Sequence, residues 1–343
     1  MNFVDEIYAK ARKNPRRILL PEANDDRTLH AAAKIRAEGL ARVTLLGDAE
    51  ATRERLRALG IADDFDIIDP RHAPWIDDFV SEYYNLRKAK GMTEAAAREA
   101  MLDPLPHGIM MLHKGRGDGL VAGAIHSTAD TLRPALQIVR TAPGVPLVSS
   151  FFFMIIGDTS YLFADCGLVE EPTAEQLAEI ALSTAGTAIA FGIPPNVAML
   201  CYSTKGSANS ASSRKVVEAT KIAQSRIVER FGAHSPVQID GELQGDAALV
   251  EAIGKKKAPG SSVAGKARVL IFPDLNSGNI AYKLVERLGG AKAFGPILQG
   301  LRLPANDLSR GCSADDIVGV AAVTVVQSQM VAPKSGTVES SLP

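Results

Sequence analysis

Short apolar runs alternate with amphipathic segments along the 343 residues of the chain. The first example has apolar runs at 18–20 and 43–46 on either side of a segment with helical spacing at 28–38. Apolar runs of this length between turn residues predict buried strands, and Asp25 or Asp26 predicts the N-cap of the helix. A strand–helix–strand unit of this kind builds parallel sheets with helices on both faces.

The same alternation continues to the end of the chain and predicts the α/β class. Further strands are predicted at 119–127, 147–156, 196–203, 237–243 and 267–275, and further helices at 93–102, 128–139, 173–192 and 212–232. A chain of this length exceeds the usual size of one hydrophobic core, so we expect two domains with a boundary near residue 145, in the segment APGVP. Residues 333–343 are expected to form a loose tail.

Composition and charge exclude several classes of protein. With 46% hydrophobic and 22% charged residues, the chain has the composition of a globular protein. Its net charge of −1 gives no general attraction to nucleic acid or a membrane surface, and no apolar run approaches the length of a membrane span. The three cysteines and six histidines have neither disulfide nor metal-ligand spacing. We therefore expect a cytoplasmic protein without a metal.

The clearest candidate for chemistry is the sequence SRGCSADD at 309–316, which precedes a strongly apolar helix predicted at 317–326. The N-terminus of a buried helix has unpaired N–H groups and a partial positive charge, both of which favour anions. Arg310 adds a planar guanidinium that suits phosphate and carboxylate. The segment is therefore suited to binding a phosphate or to stabilising an oxyanion.

A purely structural interpretation of the same residues stays open. Ser313 and Asp316 have the spacing of a capping box, so Asp316 is also explained as a helix cap. Cys312 is explained as a small buried residue, since free cysteines usually behave in this way. Ser309 is explained as a turn residue, because no histidine stands near it in the sequence.

Two other segments have similar chemistry. Ser127, Thr131 and Arg133 lie at a strand-to-helix turn, where open parallel sheets commonly bind ligands, although plain helix capping explains the hydroxyls equally well. Lys205 lies among hydroxyl residues in YSTKGSANS, which lacks the spacing of a nucleoside-triphosphate loop. The basic run at 85–91 is either a solvated face or an anion site.

Several longer segments resemble one enzyme family. They are AGAIHSTADTLRPALQIV, YSTKGSA, DGELQGDAAL, FPDLNSGNIAYKLVERLGGAKAFGPILQGL and NDLSRGCSADDIVGVAAVTVVQS, and the opening LLPEANDDRTLHAA is similar to the start of that family. The family is phosphate acetyltransferase (phosphotransacetylase), in its short single-module form. The resemblance implies a fold like that of isocitrate and isopropylmalate dehydrogenases, with two α/β domains that flank a cleft. The first domain would comprise 1–145 and 296–332, and the second 146–295.

The resemblance also implies the reaction. Acetyl phosphate and coenzyme A would be converted reversibly to acetyl-CoA and phosphate, by direct attack of the thiolate in a ternary complex. Asp316 would take the thiol proton, Ser309 would position the sulfur, and Arg310 would hold the acyl phosphate. Coenzyme A is a substrate here, so no cofactor is expected, and the family suggests a homodimer.

The substrate-binding residues follow from the same resemblance. Arg87 and Arg133 match arginines associated with coenzyme A, and Ser127 and Thr131 would line the phosphate pocket. Lys205 would also contact substrate.

Alternatives from other classes stay open. The chain would instead transfer another short acyl group, such as propionyl or butyryl, or act as a sensing module that binds coenzyme A or an acyl phosphate without catalysis. Cys312 would act as an acyl-enzyme nucleophile in a competing mechanism. A nicotinamide-dependent oxidoreductase is disfavoured, because no dinucleotide glycine fingerprint is present.

Overall fold

The computed structural model describes residues 3–331. Contacts between Cα atoms divide these residues into two compact units, one of 3–142 with 301–331 and the other of 143–300. The predicted tail at 333–343 lies outside the described residues. No helix within the described range is long and apolar enough to span a bilayer.

Residues 3–142 contain α1 Phe3–Lys13, β1 Arg16–Leu20, α2 Asp26–Ala37, β2 Ala41–Leu46, α3 Ala49–Ala58, β3 Asp66–Ile68, α4 Ile76–Arg87, α5 Glu94–Leu102, α6 Pro104–His113, β4 Gly119–Ala122 and α7 Thr128–Pro134. Residues 143–300 contain β5 Ser149–Ile156, β6 Thr159–Ala164, α8 Ala174–Phe191, β7 Asn196–Leu200, α9 Ala211–Ser225, α10 Ile227–Phe231, β8 Gln238–Leu243, α11 Gly245–Leu249, α12 Glu251–Lys257, β9 Val269–Ile271, α13 Leu275–Gly289 and β10 Lys292–Gln299. Residues 301–331 contain β11 Ala305–Asp307 and α14 Ala314–Met330. The α/β class predicted from the sequence is confirmed.

The first unit has a parallel sheet in the order β11-β4-β1-β2-β3. Its two faces are covered by different helices. A side chain at Gly119 of β4 would clash with Thr324 of α14, and one at Gly108 of α6 would clash with Leu120 of β4. Since successive residues of a strand point to opposite faces, α14 and α6 lie on opposite sides of the sheet.

The helix α14 is buried along most of its length. Eleven of its 17 residues are buried, among them Val318, Val323 and Val325, and it packs against α1, α2, β1 and β4. Each fully buried valine contributes about 1.5–3 kcal/mol of hydrophobic stabilisation. Its exposed first turn is therefore held in place by a strongly anchored helix.

The second unit has a mixed sheet in the order β10-β5-β6-β9-β7-β8. The strand–helix pattern predicts only parallel pairing, and this expectation is wrong for β5, which is antiparallel to both β6 and β10. A tight turn at Gly157, whose φ is +59°, joins β5 directly to β6 without a helix. The sequence pattern shows the strand at 147–156 but not the hairpin that it begins.

In the first unit, two predicted elements end or change type earlier than their apolar pattern suggests. The strand predicted at 119–127 ends at Ala122, because the following amides bond to Glu22 instead of to a neighbouring strand. The helix predicted at 128–139 is α-helical only to Pro134 and continues as one π-helical turn over Ala135–Val139. Both departures lie beside the candidate site of the first unit.

Candidate active site

Three neighbouring parallel strands of the first unit, β11, β4 and β1, end at one edge of its sheet. They are followed by loops at 21–25, 123–127 and 308–313. The strand order changes direction at β1, with β2 and β3 on one side and β4 and β11 on the other. Ligands of open α/β sheets bind at the carboxyl ends of strands near such a switch point.

Glu22 organises the loop that follows β4. Its side chain is buried, and its two carboxylate oxygens accept hydrogen bonds of 2.9–3.1 Å from the four backbone N–H groups of residues 123–126. The ring nitrogen Nδ1 of His126 lies 2.7 Å from Oε1. Burial raises the pKa of the Glu22 carboxyl, but the bonds from His126 and the backbone outweigh it, so the pKa lies below its ordinary value. Glu22 is therefore a stable anion that fixes the shape of this loop.

His126 is the cationic partner of that anion. Its hydrogen bond to Glu22 raises the pKa of the imidazole above its ordinary value, against the opposing effect of burial. The pair keeps the buried charge of Glu22 partly neutralised at acidic and near-neutral pH.

Arg27 joins two of the loops. Its guanidinium donates to the carbonyl oxygen of Ala124 at 2.8 Å, and to those of Arg310 and Cys312 at 2.8 and 2.9 Å. Asp25 holds the guanidinium from the other side through contacts of 2.8 and 3.0 Å. A planar cation with several donors suits this role, because it bonds both loops at once in a fixed geometry.

The loop at 309–313 presents its polar groups to solvent. Ser309, Arg310 and Gly311 are exposed, and the N–H of Cys312 donates to the carbonyl of Ser309 at 2.9 Å. No ion pair or side-chain hydrogen bond of the Arg310 guanidinium is found within residues 3–331. A fixed positive charge is thus left without a protein partner in the part of the chain that is described.

The predicted capping box of α14 is present. The Ser313 hydroxyl accepts from the N–H of Asp316 at 3.2 Å, while Asp316 Oδ2 accepts from the N–H and the hydroxyl of Ser313 at 2.8 Å each. Asp316 is exposed, and both of these bonds go to the same oxygen. Capping therefore occupies Oδ2 and leaves Oδ1 facing away from these contacts.

Cys312 is buried behind this loop, with 6% of its surface exposed. Burial raises the pKa of its thiol, and the nearby Arg27 guanidinium opposes this effect only in part. The thiol therefore stays protonated at neutral pH.

The residues at the start of α7 divide into an exposed and a buried group. Ser127 caps the helix, accepting from the N–H of Asp130 at 3.2 Å and donating to its carboxylate at 2.6 Å. Thr131 is fully buried and donates to the carbonyl of Ser127 at 3.4 Å. Thr128 instead donates to Asp307 at 2.6 Å. Thr131 thus faces the interior of the first unit, whereas Ser127 lies at its surface.

Arg87 and Arg133 both act on the same phenol. Burial raises the pKa of Tyr83, and the charges of Arg87 and Arg133 oppose that rise. Tyr83 donates to Gln137 in the π-helical turn at 2.6 Å. The Nε of Arg87 is buried without an acceptor among residues 3–331, and Arg133 lies 3.8 Å from Asp130. The structure therefore brings these two predicted residues together.

Lys205 belongs to the second unit. It has a φ of +49° in the loop after β7, and its ammonium pairs with Asp240 and donates to the carbonyl of Gly241 at 3.1 Å. Glu242 holds the same loop through the Ser203 hydroxyl at 2.9 Å and a backbone N–H at 2.7 Å. The charge of Lys205 is thus compensated within its own unit.

A cavity of about 660 Å³ lies at the same sheet edge of the first unit, between the ends of β1 and β2. Its lining includes Asn24, Asp48, Asp103 and His126, together with apolar groups such as Ile125. None of the site residues predicted from the sequence lines it. His126 connects the cavity to the carboxylate of Glu22.

Several residues that shape the site are not among those predicted from the sequence. Glu22 and Arg27 stand in PEANDDR, directly after a buried strand, where an acid and an arginine would be a detectable signal. Tyr83 and Asp307 have no local signal, because their importance depends on neighbours distant in the sequence.

Comparison with known proteins identifies the family of the chain. Residues 2–325 match the model of the family described as phosphate acetyl/butaryl transferase. The chain is 50% identical to a phosphate acetyltransferase of Acetivibrio thermocellus, over 96% of this chain and 99% of that protein. It is 47% identical to a phosphate acetyltransferase of Escherichia coli, over 95% of this chain but 45% of that longer protein.

A solved structure shows the same fold. The chain resembles a phosphotransacetylase from Streptococcus pyogenes with a TM-score of 0.90 and 44% identity, over 95% of this chain and 98% of that one. The match to the family model covers nearly the whole chain, and the relatives share close to half of its residues. The chain therefore belongs to the phosphate acetyl/butaryl transferase family and is a transferase.

Proposed function

We propose that the chain catalyses the reversible transfer of an acetyl group between acetyl phosphate and coenzyme A. The observation that best supports this proposal is the exposed loop at 309–313, which places the unpaired cation of Arg310 at the start of α14. The chain also shares 50% identity with a phosphate acetyltransferase. A fixed guanidinium and a helix N-terminus stabilise the negative charge that develops on an acyl oxygen during transfer.

In the proposed mechanism the sulfur of coenzyme A attacks the carbonyl carbon of acetyl phosphate directly and loses its proton as it attacks. A C–S bond forms, the C–O bond to phosphate breaks, and inorganic phosphate leaves with the bonding electron pair. Arg310 would hold the acyl phosphate and stabilise charge on the carbonyl oxygen, and Ser309 would position the sulfur. Exposure of both residues on one short loop supports these roles.

Asp316 is proposed to take the thiol proton. Its capping bonds occupy Oδ2 and so are compatible with proton transfer to Oδ1. Transfer from an ordinary thiol to an ordinary aspartate is unfavourable by about 6 kcal/mol. Proton transfer concerted with C–S bond formation avoids a free thiolate, so we propose a concerted step.

Cys312 is less suited to act as an acyl-enzyme nucleophile. It is buried, and the raised pKa of its thiol leaves little thiolate at neutral pH. We therefore propose direct transfer in a ternary complex, with Cys312 as a packing residue.

The substrate contacts follow the same logic. Arg87 and Arg133, whose charges both act on Tyr83, are proposed to bind phosphate groups of coenzyme A. Ser127 at the exposed start of α7 is proposed to contact the transferred phosphate. Thr131 would support that turn from the interior, and Lys205 would add a further positive charge for the substrate.

Thioester formation from acetyl phosphate and coenzyme A, followed by ultraviolet absorbance in the presence of a chelator, tests this proposal. Wild type and Cys312→Ala should turn over, whereas Asp316→Asn should lose about a hundredfold or more in kcat. The Ser313→Ala variant is the matched control, since it breaks the capping box but keeps the Asp316 carboxylate. An equal loss in both variants would reduce the role of Asp316 to capping.

Two alternatives are outcomes of the same assay. Higher kcat/KM with propionyl or butyryl phosphate would change the substrate but not the chemistry. Binding of coenzyme A without turnover of any short acyl phosphate would indicate a sensing module.

We further propose that the protein is a homodimer that works in the cytoplasm. The helix α13 exposes Ile280, Leu284 and Leu288, which are 56%, 51% and 82% exposed and lie on one face at a spacing of four residues. An exposed apolar stripe of this kind is suited to pack on a second copy of itself. Light scattering should give a dimer for wild type and a monomer for Leu284→Lys.

A further inference from the structure

Asp307, the last residue of β11, is a buried acid with no role in the mechanism proposed above. Its side chain is fully buried, two residues before Ser309. Oδ2 accepts a hydrogen bond of 2.6 Å from Thr128 in the first turn of α7. Within the described chain, Oδ1 has no hydrogen-bond partner. One carboxyl group therefore connects β11 to α7 through a single oxygen.

Asp307 and Glu22 have opposite surroundings at the same sheet edge. Glu22 has both oxygens bonded, by four backbone N–H groups and the ring of His126. Asp307 Oδ1 instead lies against Gly123, where a Cβ would come within 2.5 Å of it. A buried ionised carboxylate with an unpaired oxygen is strongly unfavourable, whereas the protonated acid avoids this cost.

The charges around Asp307 favour the same form. Burial raises the pKa of its carboxyl, the bond from Thr128 and the nearby hydroxyl of Thr131 oppose the rise only in part, and the like charge of Glu22 adds to it. Two neighbouring acids whose surroundings shift their pKa values in opposite directions commonly hold different protonation states.

Other titratable groups on the adjoining elements are already engaged. His126, on the loop after β4, is bonded to Glu22. On α7, Asp130 accepts from Ser127, and Arg133 lies 3.8 Å from Asp130 at the exposed surface. These contacts hold the charges of α7 at its surface, away from the buried carboxyl of Asp307.

We propose that Asp307 is a positioning residue that works as a neutral acid, holding Thr128 and the first turn of α7 beside the loop of Ser309 and Arg310 without adding negative charge there. This proposal rests on the proposed function, because it concerns the binding of an anionic acyl phosphate. The protonated acid keeps its hydrogen bond to Thr128, since either group can act as the donor.

The neutral form has a consequence for substrate binding. When rising pH ionises Asp307, a second buried negative charge appears near Glu22, beside the loop proposed to hold phosphate. Like charge at short range weakens anion binding. The KM for acetyl phosphate should therefore rise on the alkaline side, while kcat changes less.

Initial-rate kinetics of the full chain between about pH 6 and pH 9 test the proposal. Histidines and buried acids titrate over roughly this range. The wild-type KM for acetyl phosphate should rise severalfold with pH, and Asp307→Asn, which is neutral and similar in shape, should have a flat KM. At neutral pH, Asp307→Asn should lower kcat/KM by less than about threefold, and Asp307→Ala by about tenfold or more. Equal losses in the two variants, or parallel KM profiles for Asp307→Asn and wild type, would overturn the proposal.

A direct measurement on wild type tests the proposal even if the variants fail to fold. Infrared spectra of wild type labelled with ¹³C-aspartate should show the carbonyl stretch of a protonated aspartic acid at neutral pH, where ordinary aspartates are ionised. Absence of this band would refute the neutral acid. If wild type does not use acetyl phosphate at all, the proposed function fails, but the infrared titration still determines the state of Asp307.

Discussion

The loops at 309–313 and 202–210 look alike in sequence but differ in how their charges are used. Each follows a strand, contains hydroxyl residues, a glycine and one basic residue, and leads to a helix with a serine N-cap. Lys205 is paired with Asp240, which also accepts from Ser261, whereas Arg310 has no ion pair within residues 3–331. Composition alone does not separate the two loops. The acid that a neighbouring strand supplies, or does not supply, determines which cation is left for a ligand.

The largest expected effect compares these two cations directly. Arg310→Ala should lower kcat for acetyl transfer by about a hundredfold to a thousandfold, because it removes the charge that is proposed to stabilise the transition state. Lys205→Ala should cost less than about tenfold, since Asp240 already compensates that charge. Steady-state kinetics of both variants give the comparison, and Asp240→Asn, which frees Lys205, is the control. A larger loss of kcat in Lys205→Ala than in Arg310→Ala would contradict the view that the unpaired cation is the one available to a ligand.

A second comparison concerns the buried glutamates that hold loops in the two units. Glu22 accepts four backbone bonds and one from His126, whereas Glu242 accepts from Ser203 and Gly206. Glu22→Gln should therefore lower the free energy of unfolding by about 3 kcal/mol, and Glu242→Gln by about 1.5 kcal/mol. Urea unfolding midpoints measure the difference. If the two variants are equally stable, the number of bonds to each carboxylate does not determine its contribution.

The pH dependence of these loops should also differ. The pKa of His126 is raised above 6.5, so its bond stabilises fully below pH 6.5 and is lost as pH rises through the folded value. The pKa of Glu22 is lowered from 4.5, so its contribution is present above pH 4.5 and is lost as pH falls through the folded value. The loop at 123–126 should thus be most stable between these limits. The charged hydrogen bond between His126 and Glu22 should contribute about 1.5–3 kcal/mol to its stability there.

Hydrogen exchange of the loop amides as a function of pH, corrected for intrinsic rates, measures this window. The loop at 203–206 is the internal reference on the alkaline side, because its bonds go to Glu242 and involve no histidine. His126→Gln should remove the alkaline loss of protection. A wild-type profile that matches the reference loop would show that the His126 pair does not stabilise its loop.

The smallest expected effect concerns Arg87 and Arg133, the two arginines proposed to bind coenzyme A. The Tyr83–Gln137 bond joins α4, which ends at Arg87, to the π-helical turn that follows Arg133. Tyr83→Phe should raise the KM for coenzyme A by about threefold to tenfold with little change in kcat or in the KM for acetyl phosphate. Gln137→Met removes the other partner of the same hydrogen bond. The double variant should therefore raise the KM for coenzyme A little further than either single variant. A change in kcat alone would argue against a binding role.

The sequence predicts the regular parts of this molecule well and its long-range contacts poorly. Asp25 as a helix cap and the Ser313–Asp316 capping box follow from local spacing, and both are present. The buried bonds of Glu22 cannot be predicted in this way, because its partners lie about a hundred residues further along the chain. The resemblance to the family supplies Ser309 and Asp316 as catalytic candidates, but local spacing alone leaves them as turn and cap residues.

The first unit also has a consequence for biosynthesis. Arg27 bonds to Arg310 across 283 positions of the chain, and α14 covers β1 and β4 from a place near the end of the described sequence. On the ribosome, the earliest strands emerge long before the helix that shields them, while the segment at 143–300 emerges complete. The early strands would therefore depend on chaperones or on the ribosome surface for protection until α14 has emerged, and the loop at 309–313 would take its place beside Arg27 only at that stage.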